Sequence, residues 1–249
     1  MKIRIIPTIL TDGLTVVKGE KFNNWRTVGN AVAHARLFSQ RNVDELMFLD
    51  VNCRSNSTHV SVKMIEEFSS ILEVPFSVGG GINTLEDARA CIRSGAEKIV
   101  IGTAAVTNPQ LISEIADEFG TQAVIVAVDV GQDLEDFVFT NSGKVISSVR
   151  AIDLITELEQ LGAGEILLQS PERDGTLTGM NADAIRGALN LTNLPLIASS
   201  GVSSLSDFYS IAKLGVSAIA AGAIFQFTQT TPNQVRDYLK DSAIEVRRT

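Results

Sequence analysis

The chain has 249 residues, of which 45% are hydrophobic and 20% charged, and its formal net charge is −8. This balance is typical of a globular protein with enough apolar side chains for one large domain or two small ones. The negative charge argues against nucleic-acid binding. No apolar stretch reaches the roughly 18 residues that a membrane-spanning helix needs.

The amino terminus and the cysteine content predict a cytoplasmic protein. The first residues lead straight into an apolar, strand-like run, so we expect no signal peptide. Cys53 and Cys91 are too few for a disulfide framework and fit a reducing compartment. The histidines, His34 and His59, have no metal-ligand spacing, so we expect neither a metal site nor a cofactor.

Eight short apolar runs alternate with amphipathic stretches along the chain. The runs are often β-branched and do not alternate strongly, which is typical of strands covered on both faces in a parallel sheet. The predicted strands are 3–10, 45–51, 75–78, 98–102, 123–129, 165–170, 195–199 and 217–221. The predicted helices are 31–40, 60–71, 84–92, 109–118, 152–161, 182–189, 205–213 and 232–239. The clearest helix start is Thr84, a capping residue followed three positions later by the acidic Asp87.

Eight strands and eight helices in this length predict an α/β fold of the (β/α)8 barrel type. An open doubly wound sheet is the alternative, because strand count alone does not separate the two. An internal repeat favours the barrel, since the motifs ending in Gly81 and Gly102 recur 120 residues later at Gly201 and Gly222. We therefore predict one barrel domain over 1–249, built from half-barrels of about 1–121 and 122–249.

The repeated motifs also predict anion-binding sites. Glycine lets backbone N–H groups approach a bound group closely, and a following helix N-terminus favours an anion. The first half offers Gly80, Gly81, Gly102 and Thr103, and the second offers Asp174, Gly175, Thr176, Ser200, Gly201, Ala221 and Gly222. Two such cradles on opposite sides of one mouth would suit a ligand with a phosphate at each end. The alternative is that glycine at a strand end only makes a tight turn.

Three aspartates, Asp50, Asp129 and Asp174, lie at or just beyond predicted strand ends. A carboxylate at the carboxyl end of a barrel strand points into the mouth, where barrel enzymes carry out their chemistry. Asp129 follows a wholly apolar strand, which favours a role as general acid or base. An exposed turn aspartate is the alternative for each.

Four charged residues open predicted strands at the other end of the barrel: Arg4, Glu45, Lys98 and Glu165. Pointing inward, they would form a ring of two positive and two negative charges. Buried charges need partners, and this set balances. Taken by themselves, these residues are more simply interpreted as solvated strand starts.

Longer motifs connect the chain to a known family. They are VVKG at 16–19, DELMFLDV at 44–51, VGGGI at 78–82, GTAAVTNPQLISEIADEFG at 102–120, VAVD at 126–129, GAGEILL at 162–168 and RDGT at 173–176. Together they resemble the cyclase subunit (HisF) of imidazole glycerol phosphate synthase over almost the whole chain. The related HisA isomerase shares the half-barrel symmetry, but GAGEILL and the four strand-start charges are more similar to the cyclase.

The resemblance implies a barrel that binds a twin-phosphate ribulosyl substrate across its mouth. It also implies a heterodimer in which a HisH-type glutaminase docks at the bottom and sends ammonia through the barrel. In this interpretation Arg4, Glu45, Lys98 and Glu165 form the ammonia gate, and Lys18 matches a lysine on a mobile first loop.

Two positions depart from the family pattern. The family's first catalytic aspartate maps onto Leu10, while its partner across the mouth maps onto Asp129. Leucine cannot transfer a proton, and Asp12 would need a shifted strand or loop to substitute. The asparagine of the family motif INTAAV is Gly102 here.

Three functions fit these observations. The first is a divergent paralogue that supplies ammonia, through a partner such as a sugar amidotransferase, for amidino groups on surface polysaccharides. The second is a working cyclase and lyase of histidine biosynthesis that converts PRFAR and ammonia to imidazole glycerol phosphate and AICAR. The third is a non-catalytic scaffold that binds a bisphosphate ligand and activates the glutaminase.

Overall fold

Parallel strands pair in a closed circle in the computed structural model, which describes residues 2–41, 43–53 and 60–247. The strands in chain order are β1 (Arg4–Asp12), β2 (Thr15–Glu20), β3 (Asn23–Asn30), β4 (Leu46–Asp50), β5 (Phe76–Gly79), β6 (Lys98–Ile101), β7 (Val124–Asp129), β8 (Phe137–Thr140), β9 (Val145–Arg150), β10 (Glu165–Gln169), β11 (Leu196–Ala198) and β12 (Ala218–Ala221). The barrel runs β1, β4, β5, β6, β7, β10, β11, β12 and back to β1, all parallel. The predicted (β/α)8 barrel is thus confirmed.

Helices connect the barrel strands and cover the outside of the barrel. They are α1 (Ala31–Ser39), α2 (Val62–Ile71), α3 (Leu85–Arg93), α4 (Thr103–Thr107), α5 (Gln110–Phe119), α6 (Ala151–Leu161), α7 (Ala182–Leu191), α8 (Leu205–Ala212), α9 (Ala223–Phe227) and α10 (Pro232–Asp241). The sequence predicted all of these except the one-turn helices α4 and α9, which are too short to show a helical period. None of the helices in the described ranges combines the length and hydrophobicity needed to cross a bilayer.

Side-chain alternation along the strands divides the apolar residues into two cores. Successive residues of a strand point to opposite faces. On β1, Ile5 and Ile9 belong to the larger core between strands and helices. Ile6, between them, belongs to a smaller buried cluster with side chains such as Leu167 and Ile197. That smaller cluster lies inside the barrel, so both faces of the strands are buried against apolar side chains, which explains their apolar runs.

Two antiparallel hairpins were not predicted. β2 and β3 pair with each other, and β2 pairs with the end of β1; β8 and β9 likewise extend from the end of β7. Each hairpin therefore stands above the carboxyl end of the barrel, where its tip can cover the mouth. The sequence did carry a signal for the second hairpin, an Asn141-Ser142-Gly143 turn between short apolar segments.

The cap of α3 is the predicted one and allows a direct test. The Thr84 hydroxyl accepts from the Asp87 backbone N–H at 3.2 Å, and the Asp87 carboxylate accepts from the Thr84 N–H at 2.9 Å. Replacing Thr84 with Ala removes one of these two capping hydrogen bonds, so we expect the free energy of unfolding in urea to fall by about 1 kcal/mol. Thr84→Ser keeps the hydroxyl, so its free energy of unfolding should fall by much less. Equal losses in the two variants would contradict the capping role.

Candidate functional site

The carboxyl ends of the barrel strands and the two hairpins enclose one cavity, with about 1020 Å³ of space including its open mouth. That is enough for a ligand of metabolite size. The structure brings most of the predicted site residues into its lining: Lys18, Asp50, Gly80, Gly102, Asp129, Asp174, Gly175, Ser200, Gly201, Ala221 and Gly222. Residues that are far apart in the chain thus meet at one mouth, as a barrel requires.

Three predicted residues lie next to the cavity without lining it: Gly81, Thr103 and Thr176. The Thr103 hydroxyl accepts a hydrogen bond from the Asn141 backbone N–H at 3.0 Å, so it holds the second hairpin. The Thr176 hydroxyl donates to the Arg173 carbonyl at 2.7 Å. Both hydroxyls therefore have structural partners in the protein.

Lys18 is the buried cation of the mouth. It extends from β2 into the cavity, and only 5% of the residue is exposed. A Cβ built on Gly222 would lie 2.3 Å from Lys18 Nζ and 2.9 Å from the Thr8 carbonyl oxygen, so a larger residue at position 222 would displace the amine from this place. Burial lowers the pKa of Lys18 to about 8, against the charge of Asp174, which acts to raise it.

Asp174 is the buried counterpart of Lys18. Burial raises the pKa of its carboxyl group, while the charge of Lys18 and the nearby Ser200 hydroxyl act to lower it. The Asp174 backbone carbonyl also accepts from the Lys21 N–H at 2.8 Å. These contacts hold the first hairpin against the loop that follows β10.

Asp50 organises the loops at the end of β4. Its two carboxylate oxygens accept from the backbone N–H groups of Gly13 and Asn52, each at 3.0 Å. A Cβ on Gly80 would lie 2.6 Å from the Asp50 carbonyl oxygen, and Gly80 has a φ of +127°. Packing and backbone conformation therefore both require glycine at position 80, apart from any ligand.

Leu10 and Asp129 stand on opposite sides of the mouth. Their strands, β1 and β7, are four places apart in the eight-stranded barrel. Leu10 lies beside Leu49 in the parallel register, Asp129 lies beside Gln169, and all four side chains line the cavity. One side thus presents a carboxylate, and the facing side presents an apolar surface.

Asp12 does not take the place of a carboxylate at Leu10. It is exposed at the end of β1, outside the cavity lining, and accepts a hydrogen bond from the Asn52 side-chain amide at 3.2 Å. The shift of strand or loop that would bring Asp12 into the mouth is therefore absent from this structure.

The structure adds lining residues that the sequence did not identify. Phe22 and Trp25 come from the first hairpin, Ser142 comes from the second, and Gln169 ends β10. The hairpin residues were missed because nothing local places a hairpin tip over a distant strand end. Gln169 could have been found from its position at the end of an apolar strand.

Side chains inside the barrel form three levels. On β6, Lys98 is at the bottom, Val100 is in the middle and Gly102 follows at the mouth. The middle level is the buried interior cluster, with Ile6, Met47, Val100, Ile125, Leu167, Ile197, Ala218 and Ala220. A molecule that crosses this level must pass as an uncharged species, because the layer offers no charged partner.

The four charges at the bottom form a closed ring of ion pairs. Arg4 Nη1 lies 3.0 Å from Glu45 Oε2 and 3.2 Å from Glu165 Oε1, and Arg4 Nη2 contacts Glu165 as well. Lys98 Nζ lies 3.2 Å from Glu45 Oε2 and 2.6 Å from Glu165 Oε1. The interpretation as solvated strand starts is wrong, since each cation bridges both carboxylates.

The pKa values of the two carboxylates in the ring are shifted in opposite directions. Burial raises the pKa of Glu45 more than Lys98 and Arg4 lower it. At Glu165 burial acts in the same direction, but hydrogen bonds and charges from Arg4 and Lys98 together outweigh it, and the pKa is lowered. Glu165 is therefore the more strongly paired anion of the ring.

Within the described ranges, no three His, Cys, Asp or Glu side chains cluster so that they could hold a metal ion. His59 lies outside the described residues. Cys53 and Cys91 are both buried, and no disulfide joins them in the part of the chain that the structure describes. Burial, with the nearby charge of Asp87, raises the pKa of Cys91 to about 12.

Comparison with known proteins gives one consistent result. Residues 4–231 match the model of a family described as histidine biosynthesis protein. Imidazole glycerol phosphate synthase subunit HisF of Dictyoglomus thermophilum is 44% identical, over 98% of each chain. The subunit of the same name from Thermotoga sp. strain RQ2 is 40% identical, over 98% of this chain and 97% of its own. That of Pyrobaculum aerophilum is 37% identical, over 98% of each.

The pKa of Lys18 predicts how phosphate binding depends on pH. Lysine normally stays charged to about pH 10.4. With a pKa of about 8, Lys18 must take up a proton above that pH before it can pair with a phosphate. The phosphate itself is already a dianion at that pH. We expect ribose 5-phosphate to bind about tenfold more weakly at pH 9 than at pH 7, measured by calorimetry. Lys18→Met should bind weakly at both pH values; a flat profile in the unmodified protein would contradict this.

The ring predicts that charge balance, rather than any one side chain, stabilises the bottom of the barrel. Lys98→Met leaves two buried carboxylates on one cation, and we expect a loss on the order of 3 kcal/mol in the free energy of unfolding. Adding Glu165→Gln restores one charge of each sign and should recover part of the loss. A double variant less stable than Lys98→Met would show that the ring is not balanced in this way.

Proposed function

We propose, since this chain belongs to the HisF family, that it is the barrel subunit of an imidazole glycerol phosphate synthase-type pair. In this pair a HisH-type glutaminase docks at the bottom of the barrel and releases ammonia there. The ion-pair ring of Arg4, Glu45, Lys98 and Glu165 acts as the gate. The apolar level above it lets ammonia pass only in its uncharged form.

The mouth is proposed to bind a phosphorylated small molecule. Lys18 reaches the strand-end glycine Gly222 on one side. Gly80 and Gly102 line the other side. Glycines at strand ends that precede helices expose backbone N–H groups, which suit phosphate oxygens. Gly222 belongs to one half-barrel and Gly80 and Gly102 belong to the other, so a ligand with two phosphates would span the mouth.

The observation that carries the finer proposal is Leu10. It occupies the inward position that faces Asp129 across the barrel, so β1 presents no carboxylate to the cavity opposite Asp129. Loss of general acid–base help costs on the order of 10²–10⁴ in rate. We therefore propose that the protein is a divergent paralogue that forms imidazole glycerol phosphate slowly or not at all. It passes ammonia to another acceptor, which uses it to make amidino groups on surface sugars.

A working cyclase is the second candidate, because other residues that match the family's site are present. Asp129, Lys18 and Asp174 all line the cavity, and the ring at the bottom is complete. In this case Asp129 would carry out the proton transfers with the help of water in place of the missing carboxylate. It would convert PRFAR and ammonia to imidazole glycerol phosphate and AICAR.

A cyclase assay with free ammonia separates the two candidates. Purified protein is mixed with PRFAR and excess ammonium salt at alkaline pH, and imidazole glycerol phosphate formation is followed. Free ammonia makes the glutaminase unnecessary, so the assay reports on the mouth alone. The paralogue proposal predicts a rate at least about 10²-fold below that of an ordinary cyclase. A full rate would refute it and establish the cyclase.

The matched variants are Leu10→Asp and Leu10→Asn, which are similar in size but differ in acid–base capacity. If the missing carboxylate is the cause, Leu10→Asp should raise the rate at least about 10²-fold and Leu10→Asn should not. Equal rates in both would mean that other changes, such as Gly102, limit the chemistry. Circular dichroism of each variant checks that a buried polar side chain at this position leaves the fold intact.

A further inference from the structure

Trp25, the single tryptophan of the chain, is a mouth residue that the proposed ammonia chemistry does not use. It lies on β3 of the first hairpin, is partly buried, and lines the cavity. A large aromatic side chain at a cavity rim has two simple explanations. It either holds the hairpin together or contacts a ligand.

The packing of Trp25 shows what fixes it at the rim. A Cβ built on Gly19 would lie 2.8 Å from Trp25 Cε3 and 3.0 Å from Cζ3, so the six-membered ring lies against the Gly19 backbone. Gly19 in turn packs on Gly175, where a Cβ would lie 2.2 Å from the Gly19 carbonyl oxygen. Two close backbone contacts therefore seat the indole beside the loop that follows β10.

The surroundings of Trp25 define the ligand that it would meet. Lys18 lies on the same hairpin and extends to Gly222, where an anionic group is expected. Leu10 and Leu177 also line the cavity and give it apolar surface. A ligand with its phosphate at Lys18 thus has both an aromatic face and aliphatic side chains near the remainder of the molecule.

The neighbouring aromatic residue has a different role. Phe22 also lines the cavity, but a Cβ on Gly143 would lie 3.3 Å from Phe22 Cδ2. Phe22 therefore joins the tip of the first hairpin to the tip of the second. Trp25 is farther from the tip and closer to Lys18 along the hairpin.

We propose that Trp25 determines specificity by stacking on a planar, unsaturated ring of a phosphate-bearing ligand. This inference rests on the proposed phosphate-binding function of the mouth. Aromatic stacking favours offset contact with a second flat ring, and it discriminates against a ligand that has the phosphate and sugar alone. It acts on binding and needs no proton transfer, so it does not depend on a carboxylate at position 10.

The test compares two probes that differ in the ring. Calorimetry measures the binding affinities of two ligands. 5-Aminoimidazole-4-carboxamide ribotide has a sugar phosphate and a planar unsaturated ring, and ribose 5-phosphate has the sugar phosphate alone. The unmodified protein should bind the ribotide about five- to tenfold more tightly, with a change in tryptophan fluorescence. In Trp25→Leu the affinities should converge, and Trp25→Phe should keep part of the difference.

Each other outcome has a definite meaning. Equal affinities in the unmodified protein, or a difference that persists in Trp25→Leu, would overturn the role of Trp25 while leaving a phosphate-binding mouth. Binding of neither probe would overturn the proposed function and this inference together. If Trp25→Leu fails to fold, the Phe variant and the fluorescence of the unmodified protein decide, and an unchanged emission spectrum at saturating ribotide counts against stacking.

Discussion

Side-chain alternation in a closed parallel barrel is the constraint on which the rest of this structure depends. Every second residue of β1 points inward, so Arg4, Ile6 and Leu10 belong to the bottom, the middle and the mouth. A register shift of one residue would exchange the inner and outer sets. The ring, the dry interior and the mouth cavity are therefore consequences of one geometric rule applied to eight strands.

The three levels differ in the interactions that hold them. At the bottom, four charges that would be costly alone are stabilised because each cation bridges both carboxylates. The middle is apolar and close-packed. At the mouth, Lys18 and Asp174 are buried together, and their pKa values move in opposite directions because burial disfavours both charges. A bound phosphate would favour the charged form of Lys18.

Leu10 lies in the mouth of a barrel whose fold is that of its HisF relatives. Leu10 occupies an inward site beside Leu49, where an apolar side chain packs readily. The chain therefore keeps the barrel of its HisF relatives, whose identity extends over almost its whole length, while one wall of the mouth becomes apolar. Fold and chemistry are separable at this position because Leu10 belongs to neither of the two buried hydrophobic clusters.

The sequence by itself determined the barrel strands, most of their helices and the cap at Thr84, because apolar runs and capping patterns are local and their physical causes lie within a few residues. It also located the strand-end glycines, and the motif match predicted that Leu10 stands where the family has a catalytic aspartate. Only the tertiary structure decided that Arg4 and Lys98 each pair with two glutamates. A charge at a strand start is solvated or buried according to whether the barrel closes around it. The tertiary structure likewise decided that two hairpins cover the mouth and that Lys18 meets Asp174, because these contacts join residues far apart in the chain and depend on how eight strands are arranged in space.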